Sequence, residues 1–288
     1  MGDEVAAVIV SYNVADLLVR CVESLRADGI RRIVVVDNAS ADGSVEAIRR
    51  ADPEVEVVPL TTNIGYGGGA NRGVARTTEP HVLVLNPDVE VEPGSTKVLL
   101  EALARDPRLA LVGPGIETPE GELYPSARTF PDLTDAAGHA FLHFVWPSNP
   151  FSRRYRMLDW DHGDARDVDW VAGTHLLARR SAWDEVDGFD ESFFMYMEDV
   201  DLCWRLKLAG WRVGYEPAAR VTHRIGRSTD QTPYRMIAAH HRSLLRYAAR
   251  TSRGHQRLAL PLIAVALVVR TVLAWVQRAL RGRPHAAP

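Results

Sequence analysis

The chain has 288 residues and only two cysteines, Cys21 and Cys203, in no cluster. That excludes a disulfide framework and a zinc knuckle, and it fits a reducing compartment. No charge sign dominates: 34 Lys and Arg stand against 37 Asp and Glu, for a net charge of -3. A general nucleic-acid binder is therefore not expected. No G-x-x-x-x-G-K-[ST] run occurs, which removes nucleotide hydrolysis by a P-loop. Met1-Gly2-Asp3-Glu4 leads straight into an apolar run without a basic leader or cleavage site, so no signal peptide is expected.

What is present is a globular composition, with 46% hydrophobic and 25% charged residues. The acids lie mostly before residue 202. Beyond Arg205 arginines dominate, including Arg246, Arg250, Arg253, Arg257, Arg270, Arg278, Arg281 and Arg283.

Short β-branched runs alternate with helical spacing through the first 112 residues. Strands are expected at Val5–Val10, Ile33–Val36, Val55–Val58, His81–Leu85 and Leu109–Val112. Helices are expected near Leu17–Leu25, Val45–Arg50, Ala70–Thr77 and Pro93–Ala104. This alternation predicts an α/β fold with a parallel, doubly wound sheet. Ligands of such sheets bind beyond the carboxyl ends of the strands. Those ends carry Ser11-Tyr12-Asn13, Asp37-Asn38, Asn63-Ile64-Gly65 and Asn86-Pro87-Asp88. From about Thr118 to Asp167 the period is lost, which predicts an elaborated substrate-facing segment. Trp170–Ala178 reads as one strand, Arg180–Val186 as a short helix, and Arg212–Tyr215 and Ala219–His223 as two strands.

Several residues in this frame could carry chemistry, and each also has a structural reading. Glu198, Asp199 and Asp201 follow an aromatic run, Phe193-Phe194-Met195-Tyr196, and open a helix. A first-turn carboxylate can cap the helix. Beside an apolar wall it can also be a base with a raised pKa. Asp201 stands four residues before Arg205 and has a ready ion-pair partner. Asp88, exposed at a strand mouth by Pro87, suits a divalent cation that bridges phosphates, or is a plain turn aspartate. Asp37 could accept hydrogen bonds from a nucleobase or ribose, or make an Asx-turn. His223 could be a second metal ligand or a structural histidine. Arg224 and Arg227 could pair with a diphosphate. The glycine-rich stretch Asn63–Gly73 offers backbone N–H groups to a phosphate. It follows the third strand rather than the first, so an oxidoreductase of the dinucleotide class is not supported.

Taken together, these residues resemble the family 2 glycosyltransferases, inverting enzymes of the GT-A fold. The resemblance rests on Val10-Ser11-Tyr12-Asn13, Val36–Gly43, Asn63-Ile64-Gly65-Tyr66 with Asn71-Arg72-Gly73, Leu85-Asn86-Pro87-Asp88, Gly173 with Arg179-Arg180, Gly188-Phe189-Asp190-Glu191, Phe194–Arg205 and His223. Tyr124–Arg128, Trp146–Pro150, Tyr155-Arg156 and Phe194–Asp201 are similar to the rhamnosyltransferase branch that uses dTDP-L-rhamnose and a polyprenyl-diphosphate-linked N-acetylglucosamine in cell-wall linker synthesis.

The resemblance implies a GT-A Rossmann-like, mostly parallel sheet flanked by helices, with a membrane-associating helical extension. It implies a glycosyltransferase domain over 1–228, divided into a nucleotide-sugar-binding half, 1–115, and an acceptor-binding half, 116–228. Residues 229–288 would form the basic and apolar extension. Asp199 would be the catalytic base. Glu198, Asp201, Trp170 and Gly173 would lie on the acceptor side. Ser11, Tyr12, Asn13, Asp37, Asn38, Asn63, Gly65, Asn71, Arg72, Asn86 and Arg227 would bind the nucleotide-sugar. Asp88, with His223, would hold Mg2+ or Mn2+. Asn86 stands where the family motif has its first acid. A UDP- or GDP-hexose donor and a non-catalytic sugar-nucleotide-binding membrane protein are the alternatives.

The C-terminal part predicts a helix over Tyr234–Arg250, then an almost wholly apolar run, Leu258–Val276, with basic flanks. Nineteen helical residues span about 28 Å, close to the roughly 30 Å of a bilayer core. Three readings stand: a helix in the membrane interface, a helix packed on the domain, and a spanning helix. The expected place is the cytoplasmic face of the cell membrane, with the protein peripheral or monotopic.

Overall fold

The computed structural model describes residues 4–131, 146, 149–155, 157–224 and 232–281. Its strands are β1 (Val5–Ser11), β2 (Arg32–Asp37), β3 (Glu56–Pro59), β4 (His81–Leu85), β5 (Val89–Val91), β6 (Leu109–Glu117), β7 (Leu123–Tyr124), β8 (Ala127–Arg128), β9 (Arg166–Asp167), β10 (Trp170–Val171), β11 (His175–Arg179) and β12 (Arg212–His223). Its helices are α1 (Ala15–Ala27), α2 (Ser44–Ala51), α3 (Tyr66–Val74), α4 (Ser95–Arg105), α5 (Pro150–Tyr155), α6 (Arg180–Glu185), α7 (Glu198–Leu208), α8 (Pro233–Thr251) and α9 (Leu260–Arg281).

The main sheet runs β3-β2-β1-β4-β11-β6-β12-β5. β1 is parallel to β2 and β4, β2 to β3, and β6 to β12. β11 is antiparallel to both β4 and β6, so β6 runs the same way as β4. Six strands therefore point their carboxyl ends to one edge, and β5 and β11 start from that edge. β5 is antiparallel to β12, with Val89 opposite His223.

The strands read as unbroken apolar runs because both faces are covered. Alternation sorts their residues into two cores. Val8, Val10, Val34, Val36, Val82 and Val84 pack with Val74, Phe189, Val200, Leu202 and Leu206. Ala7, Ile9, Ile33, Val35, Leu83 and Leu85 pack with Leu18, Cys21, Leu25, Ile48, Leu99 and Leu103.

Four elements differ from the sequence reading. The glycines expected in a loop before Ala70 lie inside α3, which begins at Tyr66. A Cβ on Gly73 would stand 2.2 Å from Val8 Cγ1, and one on Gly69 2.7 Å from Val10 Cγ1. The glycines let α3 lie close on β1, and Gly67 to Gly69 stand in its first turn rather than in a loop. Trp170–Ala178 is two strands, not one. β10 pairs with β8 in a separate two-stranded sheet, and β11 joins the main sheet after a turn at Ala172–Thr174. Arg212–His223 is one strand whose register shifts between Glu216 and Arg220. β5 was unforeseen, because three residues carry too little period.

Along α9, Leu258, Leu262, Val265, Val268 and Leu273 beside it or within it are exposed, Leu262 at 72% and Leu273 at 62%. The helical stretch Gly254–Ala279 has 26 residues, and its most apolar 18-residue window has a mean hydropathy of 2.2, enough by length and composition to cross a bilayer. It meets α8 along a seam where His241 Nδ1 lies 2.6 Å from Thr271 Oγ1 and the Trp275 indole N–H donates to the Tyr234 carbonyl at 3.1 Å.

Candidate active site

A crevice of about 440 Å³ opens at the common edge of the sheet. Its walls include Tyr12, Asn38, Asn63, Gly65, Asn86 and Asp88 from the first half of the chain. Arg128, Trp170, Gly173, Glu198, Asp199 and His223 close it from the second. The parallel strand direction explains this gathering: every loop that leaves a carboxyl end here leaves on the same side.

Asp199 sits in the first turn of α7. Its Oδ2 accepts the Gly173 N–H at 2.9 Å and its Oδ1 accepts the Val200 N–H at 2.9 Å. A Cβ on Gly173 would meet Asp199 Cβ at 3.2 Å, so the missing side chain lets the β10–β11 turn approach the carboxylate. The Tyr66 hydroxyl donates to the Gly173 carbonyl and fixes that turn from below. α7 is entered through two residues with left-handed backbone, Tyr196 (φ 65°) and Met197 (φ 68°). Such backbone is costly for bulky side chains and persists only where the surroundings enforce it. Here the Met195 carbonyl accepts from Ser243 Oγ at 2.9 Å, and the Phe194 carbonyl accepts the Tyr66 N–H at 3.0 Å. Gly65, at φ +88°, leaves room for that bond: a Cβ there would lie 2.2 Å from the Phe194 oxygen.

Burial raises the Asp199 pKa, while the Gly173 and Val200 N–H bonds and the Arg128 charge oppose the rise. Glu198 is pushed well above its ordinary range by burial and by the charge of Asp199. Its Oε2 has no hydrogen-bond partner. Of the two neighbouring acids, Glu198 is raised the more, because Asp199 has two N–H donors and the Arg128 charge to favour its ionised form.

Asp88 and His223 meet at the far wall, with Oδ1 to Nε2 at 3.1 Å. They are 135 residues apart in the chain, and the β5–β12 pairing brings them together. One carboxylate and one imidazole form a donor set that suits a divalent ion whose other ligands are phosphate oxygens and water. Among the described residues no group of three or more His, Cys, Asp or Glu is arranged to hold a metal.

The other expected site residues take varied places. Asp37 is buried; Oδ2 accepts the Ser40 N–H at 2.9 Å, and Oδ1 is left without a partner. Ser11 Oγ is likewise buried and unpartnered. Asn13 binds the neighbouring loop, its Oδ1 accepting the Ala41 N–H at 2.8 Å. Asn71 is used internally, donating to the Phe189 carbonyl and accepting the Phe189 N–H. Arg72 is exposed on α3. Arg224 is paired with Glu90 at 3.0 Å. Asp201 is fully buried, held at 2.7 Å by Arg205 and at 2.6 Å by Arg250, and does not line the crevice. Arg227 lies outside the described residues. The sequence reading missed Tyr66, Arg128, Arg235 and His240 as crevice residues. Arg128 sits in the stretch of lost period, and the other three belong to helices whose crevice-facing side no spacing reveals.

This architecture is that of the GT-A glycosyltransferases. A mannosyltransferase from Pyrobaculum calidifontis, solved with GDP-Man and Mn2+, superposes with a TM-score of 0.61 over 98% of this chain and 76% of that one, at 17% identity. GalNAc-T7, solved with UDP, GalNAc and Mn2+, gives 0.57 over 76% of this chain and 42% of that one, also at 17% identity. The model of glycosyl transferase family 2 matches residues 6–172, and that of glycosyl transferase family group 2 matches 149–281. The chain belongs to glycosyl transferase family 2. It is 40% identical over 270 residues to the N-acetylglucosaminyl-diphospho-decaprenol L-rhamnosyltransferase of Mycobacterium tuberculosis H37Rv, covering 89% of this chain and 88% of that protein. It is 28% identical to the rhamnosyltransferase WbbL of Escherichia coli K12, over 84% of this chain and 92% of that one.

Proposed function

We propose that this glycosyltransferase moves L-rhamnose from dTDP-L-rhamnose to a polyprenyl-diphosphate-linked N-acetylglucosamine, with inversion at the anomeric carbon. The observation that carries the reading is the 40% identity to a rhamnosyltransferase of that acceptor over nearly the whole chain. The placement of Asp199 supports it: a base for the acceptor must face the crevice, and its carboxylate does.

In this reading Asp199 takes the proton of the acceptor hydroxyl. That oxygen attacks the anomeric carbon from the face opposite the diphosphate, and the bond from carbon to phosphate oxygen breaks. A β-L-rhamnosyl donor then gives an α-L-rhamnoside and dTDP. Asp37, with its unpartnered Oδ1, and Ser11 serve the nucleoside; Tyr12, Asn38, Asn63, Gly65 and Asn86 shape the donor side of the crevice. Asn13, Asn71 and Arg72 act from behind it, and Arg227 belongs to the donor side in the same proposal. Trp170, Gly173 and Glu198 wall the acceptor side. Asp88 and His223 hold Mg2+ or Mn2+. The ion supplies charge stabilisation for the departing diphosphate.

The test is product formation from dTDP-L-rhamnose against UDP- and GDP-hexoses, with a short-chain prenyl-diphosphate N-acetylglucosamine as acceptor. α-Rhamnosyl product from the dTDP donor alone is the expected result; equal or faster transfer from another nucleotide sugar overturns the donor assignment. Asp88→Ala should weaken Mn2+-dependent dTDP binding by at least the ~10–100-fold lost when even an outer partner of a metal ligand is removed. An unchanged metal titration counts against Asp88 as a ligand.

The extension belongs to the same proposal. With its exposed apolar side and basic flanks, α9 holds the enzyme at the cytoplasmic face of the membrane, where a polyprenyl substrate resides. A chain ending before Arg257 is expected to stay in the supernatant when anionic vesicles are sedimented. Sedimentation equal to that of the full chain refutes the anchor.

A further inference from the structure

The crevice and the exposed apolar helix share one element. α8 turns Arg235, Met236 and His240 toward the crevice, and Thr232 just before it also lines the wall. Through Tyr234 and His241, residues on the same turns, it meets Trp275 and Thr271 of α9. Among the described residues α8, about 10–12 Å across with its side chains, touches both the crevice and the apolar helix α9.

Arg235 stands out on this wall. Three arginines of α7 and α8 are committed elsewhere. Arg250 is paired with Asp190 and Asp201, Arg205 with Asp201, and Arg246 donates to the Ser192 carbonyl. Arg235 makes no ion pair among the described residues. Its guanidinium lies over the Phe194 ring, 5.0 Å from the centroid, and both residues line the crevice. Five residues along the helix, His240 packs its ring on Tyr196 at 5.0 Å, and Tyr196 also lines the crevice. α8 is held firmly enough to position these groups. Ser243 is bonded to the Met195 carbonyl and Arg250 to Asp201, so the helix is pinned to the chain that leads into Glu198 and Asp199.

We infer that Arg235, with His240, forms the subsite for the diphosphate of the prenyl-linked acceptor, and that the prenyl chain leaves over α8 toward the apolar face of α9. This rests on the acceptor class proposed above and adds the residues that would read it. The chemistry of the two ends agrees with it. A prenyl diphosphate needs a cationic group beside an apolar exit, and the sugar on its other side must reach a base. Asp199 and Arg235 on the crevice and the exposed face of α9 supply these three. An unpaired guanidinium stacked on an aromatic ring is suited to bidentate phosphate contact and loses little freedom on binding.

The test is a binding measurement without any sugar, so that it stands apart from the rhamnose assignment. The full chain is saturated with dTDP and Mn2+ to fill the donor side, then titrated with farnesyl diphosphate. Arg235→Gln should weaken farnesyl diphosphate by about tenfold or more, the scale of one lost charge-assisted contact. Its dTDP affinity should stay within twofold of the parent, as should its binding to phosphatidylcholine–phosphatidylglycerol vesicles. His240→Ala should weaken the same probe by a smaller factor. Farnesol should bind both proteins alike. Three results overturn the inference: equal farnesyl diphosphate affinity in parent and Arg235→Gln, a loss that falls on dTDP instead, or a loss that falls on the anionic vesicles. Failure of rhamnosyl transfer with intact, Arg235-dependent farnesyl diphosphate binding would reject the donor assignment and leave this subsite standing.

Discussion

Replacing Asp199 with Asn is expected to lower turnover by about 10²–10⁴-fold, the range of a positioned general base. The amide has nearly the same shape, and its carbonyl oxygen can still accept the Gly173 N–H, so the β10–β11 turn should keep its place. Binding of dTDP with Mn2+ should therefore change little in a calorimetric titration. The pH profile gives a second readout. Burial raises the Asp199 pKa, and the base works only when ionised. In the parent protein activity should fall as pH drops through a value above the usual carboxylate range. The residual activity of the Asn variant should lack that acidic limb. Near-normal turnover, or an unaltered limb, would remove Asp199 from the role of base.

Two residues along the chain, the opposite phenotype is expected. Asp201→Ala should cost about 3 kcal/mol of stability, at the lower end for breaking a buried ion pair. That corresponds to a fall in Tm of roughly 6–12 °C for a protein of this size. The lower end applies because the guanidiniums keep other partners: Arg205 still donates to the Val186 and Gly188 carbonyls, and Arg250 still pairs with Asp190. Asp201 also ties α7 to α8 through Arg250, so the variant should loosen α8 over the crevice. Thermal unfolding measures the first effect, and hydrogen exchange in residues 233–251 the second. An Asp201→Ala protein with parental Tm but lost activity would instead put Asp201 at the chemistry.

The two acids show why sequence position alone does not assign a role. Both stand in the first turn of one helix, and either can cap it or pair with a basic residue. The i,i+4 spacing correctly pointed Asp201 to Arg205, since that contact is local. Nothing in the spacing indicated Arg250, which comes from another helix. Nor did it indicate that Gly173 would bring an N–H to Asp199 from 26 residues away. In the same way, glycines 67 to 69 read as a loop because glycine disfavours helices. The close approach of α3 to β1 overrides that preference, and it exists only in the folded chain.

By itself the sequence determined the alternation of strand and helix, the two-sided burial of the sheet, and the polar residues that close each strand. These follow from local periodicity and from where apolar runs stop. It also determined the apolar C-terminal helix, whose length and composition need no partner to be read. The tertiary structure alone decided which of those polar residues meet. It joined Asp88 to His223 through strand pairing, separated Asp199 from Asp201, withdrew Asn71 into internal bonds and brought Arg128 and Arg235 to the crevice. Contacts across tens to hundreds of residues depend on strand order and helix placement, and side-chain period carries no record of either.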